Sequence, residues 1–157
     1  MASDAVTLIC RDHRVMKALL DQLKDPASDR VALVEEVAAR FTAHVRAEEE
    51  QIYPLLVYAE PEDPYEGKQV RGGVREHREA EERLRTLRAT DPDSRDFDIA
   101  LRDLEVAVTT HVEEEESELL PDLVSSVDRE TLETVGAAFD ARRVHELRAY
   151  GFEDWQA

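Results

Sequence analysis

The sequence predicts an all-α protein: an up-down-up-down four-helix bundle with a short C-terminal helical extension. Three observations carry that expectation. Apolar residues recur at spacings of three and four along four long segments, the period of a helix with one buried face. The segments pair through short polar turns, Asp25-Pro26-Ala27-Ser28-Asp29 and Thr90-Asp91-Pro92-Asp93-Ser94, of the kind that join antiparallel helices. Charged residues make up 36% of the 157 residues against five glycines and six prolines, a balance that suits long helices better than a sheet. Residues 1–125 are expected to form the bundle, and residues 126–157 a helix and tail packed on it.

The first helix reads from about Asp4 to Lys24, with Ser3 or Asp4 as N-cap and Val6, Ile9, Cys10, His13, Met16, Leu20 and Leu23 on one stripe. The second reads from about Arg30 to Tyr58, with Val34, Val37, Phe41, His44, Glu48, Ile52 and Leu55 inward. Pro54 lies inside that pattern and should kink it one turn beyond Glu48. Residues 59–67 read as the longest irregular connection. The third helix covers about Lys68 to Ala89, its first turns weakened by Gly72 and Gly73. The fourth runs from about Asp96 to Val124 and bends at Pro121. A fifth starts near Asp128, an N-cap, with Leu132, Val135, Phe139, Arg143 and Leu147 as its stripe. Trp155 in the tail is expected to pack back on the bundle.

Four of the five histidines fall on the four apolar stripes: His13, His44, His77 and His111. Three of them carry a carboxylate four residues on, as His44-Glu48, His77-Glu81 and His111-Glu115, one turn away on the same helix face. Counted from the turns, the histidines of each antiparallel pair lie within ~3–5 Å of the same level at 1.5 Å per residue. Several carboxylates buried together without cations would be prohibitive. A metal centre resolves the conflict, and six or seven donors suit a dinuclear site better than one tetrahedral ion. Imidazole and carboxylate without thiolate suit iron, with manganese or zinc as lesser alternatives. Glu48 and Glu115 are placed to bridge, as carboxylates from facing helices do in such bundles. Glu49, Glu50, Glu113, Glu114 and Glu116 read as solvated surface. Tyr53 points away on a straight helix and reads first as a packed or surface residue, but the distortion at Pro54 can rotate it inward as a ligand or proton donor.

Composition excludes other classes. A net charge of −17 argues against nucleic acid and anionic membrane surfaces as partners. No membrane-length apolar run or signal-peptide core is present, which predicts a cytoplasmic protein. Cys10, the single cysteine, excludes an intramolecular disulfide and a thiolate cluster, and reads as a small buried apolar residue. The chain is expected to be a monomer or weak homodimer.

The ordered set His13, His44-x-x-x-Glu48, His77 and His111-x-x-x-Glu115 resembles the hemerythrin-like, or HHE cation-binding, family over residues 4–124. The resemblance implies two iron ions bridged by oxo or hydroxo and by carboxylates. His13 and His44 would bind one ion, His77 and His111 the other, with Glu48 and Glu115 bridging. The oxygen carriers of that family have a second histidine in the third helix where this chain has Glu81. An anionic ligand there would favour the ferric state and oppose reversible oxygen carriage. The pattern is closer to a bacterial branch linked to peroxide breakdown and to responses to O₂, NO or iron. Catalase-like breakdown of hydrogen peroxide, with Glu81 or Tyr53 handling protons, is therefore the first expectation. An O₂, NO or iron sensor or storage module is the alternative, and a di-iron oxygenase acting on an organic substrate a weaker one.

Overall fold

A computed structural model of the chain describes residues 3–59 and 64–154, and Trp155 lies outside them. The elements are α1 (Ala5–Leu23), α2 (Arg30–Gln51), α3 (Tyr53–Ala59), α4 (Pro64–Arg88), α5 (Arg95–Glu114), a π-helical turn (Glu115–Leu119), α6 (Leu120–Ser126) and α7 (Arg129–Ala149). No strand occurs among the described residues. The all-α bundle is thus as the sequence predicts: α1 packs on α2, α4 on α5, and α7 lies against α2 and α1.

Helix starts follow local chemistry. The side chains of Asp4, Asp29, Ser94 and Asp128 accept from the backbone N–H of Thr7, Ala32, Phe97 and Thr131, satisfying a donor that the first turn leaves open. Arg30 locks the two turns at one end of the bundle together. Buried at the start of α2, it donates to the carbonyls of Leu23 (3.0 Å) and Pro92 (2.8 Å) and to Asp98 (2.9 Å).

Three boundaries differ from the sequence expectation. The second helix breaks at Ile52, just ahead of Pro54. Proline cannot donate to the carbonyl four residues back, and its ring crowds that carbonyl, so the interruption falls upstream of it. The fourth helix widens into the π turn at Glu115–Leu119, ahead of Pro121, instead of simply bending. The third helix begins at Pro64, inside the stretch expected to be irregular, where a residue without an N–H suits a first turn.

The core is layered. One apolar layer, with Leu23, Val37, Phe41, Leu87, Phe97 and Leu104, fills the end near Arg30. A second, with Ile9, Ile52, Leu56, Leu120, Leu123 and Phe139, fills the other. His13, His44, His77 and His111, with Glu48 and Glu115, lie buried between these layers. No helix among the described residues is long and apolar enough to cross a membrane.

Candidate metal centre

Each wall of the bundle contributes one imidazole: His13 from α1, His44 from α2, His77 from α4 and His111 from α5. All four are buried, at 1–3% exposure, as are Glu48 (0%) and Glu115 (2%). Their inward atoms converge. Glu48 Oε2 lies 3.1 Å from His77 Nε2 and 3.6 Å from His44 Nε2. Glu115 Oε2 lies 3.1 Å from His13 Nε2 and 3.4 Å from His111 Nε2. Each carboxylate therefore faces one histidine from each antiparallel pair, which is the placement a bridging ligand needs. His13, His44, His111 and Glu115 bring donor atoms within 4.8 Å of one another, and so do Glu48, His77 and His111.

The outward nitrogen of every ring is tied to a carboxylate. His13 Nδ1 meets Glu116 at 2.8 Å, His44 Nδ1 meets Asp12 at 3.2 Å, His77 Nδ1 meets Glu49 at 2.8 Å, and His111 Nδ1 meets Glu76 at 2.9 Å. A carboxylate accepts only, so each Nδ1 carries the proton and each neutral ring turns its Nε2 lone pair inward. There the Nε2 atoms of His77 and His111 stand 3.1 Å apart. The Nε2 atoms of His13 and His44, both side-chain oxygens of Glu48 and Oε2 of Glu115 are buried without a hydrogen-bond partner. Lone pairs and carboxylates that confront one another in a buried core call for cations. The donor set fits bound metal.

Without metal, protons must partly fill that role. Burial, then the charge of Glu115, raises the Glu48 carboxyl well above the ordinary range. Burial also opposes ionisation of Glu115, but the close approach of the His111 and His13 rings outweighs it and holds that carboxyl low. At His111, burial disfavours the charged ring, yet Glu115 and Glu76 overcome it and raise its pKa to about 9. His13 is raised by the same kind of balance, dominated on the favourable side by Glu115. His44 goes the other way, down to about 4, because burial dominates there.

Tyr53 enters the site. The break at Ile52 turns its ring inward to 2% exposure, stacked on His77 with the planes 5° apart. Its hydroxyl lies 3.4 Å from Glu115 Oε1 and 3.3 Å from His77 Nε2. Burial and the Glu48 and Glu115 carboxylates raise its pKa, so the phenol keeps its proton. Gly73 makes the room: a Cβ there would sit 2.5 Å from the Tyr53 hydroxyl. A cavity of about 310 Å³ opens beside these residues, lined in part by Tyr53, Gly73, Glu76, His111 and Glu115.

Glu81 is not brought in. It belongs to neither donor group and sits half-buried at the margin of α4. The buried stripe of that helix is Gly73, His77, Ala80, Leu84 and Leu87. At about 100° per residue its centre falls short of His77, leaving Glu81 about 80° off the seam. Glu49 and Glu116, read from the sequence as solvated surface, instead reach back to hold His77 and His13. Asp12 and Glu76 were missed too. Asp12 had a signal, being beside His13 on the buried face of α1, whereas Glu76 acts on a histidine 35 residues away and had none. Cys10 is half-buried, and its thiol is pushed up to about 11 by burial and then Glu116. His145 is exposed, apart from the cluster.

Among solved structures, the chain is similar to the crystal structure of a hemerythrin HHE cation binding domain-containing protein from Mycobacterium kansasii. The TM-score is 0.81 at 22% identity, covering 94% of this chain and 89% of that one, a likeness of fold. Comparison with curated proteins gave no match. The sequence profile of the Hemerythrin HHE cation binding domain matches residues 4–123. This chain belongs to the hemerythrin HHE cation binding domain family.

Proposed function

We propose that the chain is a non-haem di-iron protein that breaks down hydrogen peroxide. The observation that carries the metal part is the donor set: four histidines with outward-tied Nδ1 atoms, and two carboxylates each facing one histidine of both pairs. His13 and His44 would hold one ion, His77 and His111 the other, with Glu48 and Glu115 between them. Bound iron supplies Lewis acidity and takes up and returns electrons. The chain does the rest. The cavity admits a small molecule to one flank of the centre, while the apolar layers close its two ends. Tyr53 holds a hydroxyl proton at the cavity wall beside Glu115. Glu76 ties His111 Nδ1 to the cavity surface, where protons exchange with solvent.

The test is an oxygen-electrode assay on iron-loaded protein. Sustained release of one O₂ per two peroxides consumed is expected. Tyr53→Phe should keep its iron and turn over roughly 10²-fold more slowly, the size of a lost proton donor. A spectral change with no oxygen release would favour the sensor reading. The cavity volume, far beyond what peroxide needs, favours one second reading, an oxygenase acting on a small organic molecule. That enzyme would consume O₂ in step with substrate and release none from peroxide.

A further inference from the structure

We infer that Arg143, on α7 and beyond the stretch matched to the family, is a positioning residue for the metal centre that holds Asp12 against His44. The inference rests on the metal-binding reading above. Arg143 is 2% exposed. Its two terminal nitrogens are committed: Nη1 donates to Asp154 at 2.7 Å, and Nη2 donates to Asp140 at 2.6 Å and to Asp154 at 3.0 Å. The fork is thereby fixed in orientation, and its Nε comes to 3.4 Å from Asp12 Oδ2. That same oxygen faces His44 Nδ1 at 3.2 Å. A guanidinium, a carboxylate and a metal-facing imidazole thus form one chain running from α7 through α1 to α2.

The other three histidines lack such an arrangement. Glu49, Glu76 and Glu116 have no lysine or arginine within ion-pair distance among the described residues. α7 also supports His44 from the side, where the Phe139 ring meets the imidazole edge-on at 5.8 Å and 84°. Its hold on α2 is reinforced by Glu146, which pairs with Arg46 at 2.8 Å. One end of the centre is therefore braced by a fifth helix, and the opposite flank opens to the cavity. Two consequences follow from the chemistry. The arginine fixes the Asp12 rotamer, and so the tilt of the His44 ring. It also draws charge from Asp12, which limits how strongly that carboxylate pulls on the Nδ1 proton.

The experiment is an anaerobic titration of metal-free, full-length protein with Co(II), followed by d–d absorption, with thermal melts alongside. Wild type should take up two ions. Arg143→Gln should weaken one of them about tenfold and alter that ion's band, the low end of losses seen when partners behind a ligand are removed. Asp12→Asn should cost at least as much, and adding Arg143→Gln to it should change nothing further. Arg143→Lys keeps a cation beside Asp12 and should recover part of the loss. Should Arg143→Gln not fold, Arg143→Lys in the two backgrounds makes the same comparison. A variant that melts lower yet binds two Co(II) ions with wild-type affinity and bands would overturn the inference. So would an equal loss in the Asp12→Asn background. Wild type that binds no Co(II) would instead sink the metal reading, and this inference with it.

Discussion

At the scale of the residue, the centre is built from histidines whose two nitrogens have separate duties. The outward Nδ1 of His111 is held by Glu76, which leaves Nε2 free to face Glu115 and His77. Replacing Glu76 with Gln keeps the shape but removes the charge that orients and enriches the ring. Metal affinity should fall about 10–100-fold in a titration. The same pairing makes the metal-free fold sensitive to pH. His111 has its pKa raised from 6.5 to about 9, so its contribution to stability is complete below 6.5 and is lost as pH rises through 9. His13 and Glu48, also raised, act in the same direction. Urea melts of metal-free protein should therefore show stability declining from pH 6.5 to 9. Metal-loaded protein should show a much shallower decline, because the metal replaces those protons. A metal-free midpoint that is flat across the window would contradict the assignment.

At the scale of the element, two interruptions of helical geometry shape the site. The break at Ile52 brings Tyr53 inward, and the π turn opens at Glu115 itself, two residues of which, Glu115 and Glu116, both reach His13. Gly73→Ala tests the first. Its Cβ cannot share space with the Tyr53 hydroxyl, so the ring must leave the site or α4 must move. Overpacking of this kind typically costs about 1–3 kcal/mol. Melting should drop, and pairing the change with Tyr53→Phe, which removes the hydroxyl but leaves the ring carbon 3.0 Å from the Cβ, should restore part of it. At this scale the sequence was legible where structure is local. Spacings of three and four placed His13, His44, His77 and His111 on inward seams, and Asp4 and Asp128 announced their helix starts. It was misleading at Glu81, where i, i+4 spacing alone did not reveal where the buried stripe of α4 is centred. It was silent on Glu116 holding His13, a contact between residues 103 apart that only the packing of α1 on the π turn creates.

At the scale of the molecule, two apolar layers enclose a layer of buried charge. Such a layer destabilises the fold unless it is neutralised, so metal and fold should be coupled. Metal-free protein should melt well below loaded protein. Glu48→Gln should narrow the gap from below, weakening metal binding while removing the carboxyl whose ionisation burial and the charge of Glu115 oppose in the metal-free form. α7 belongs to the same unit: Gly136 lets it cross α1 so closely that a Cβ there would lie 2.7 Å from the Ala5 amide nitrogen. The central claim, two metal ions held between four histidines and two bridging carboxylates, is tested most directly by elemental analysis. Protein reconstituted with Fe(II) without oxygen and freed of loose metal should carry two irons per chain, with fewer in His44→Ala and in His111→Ala. One tightly bound zinc per chain, unaffected by either substitution, would contradict it.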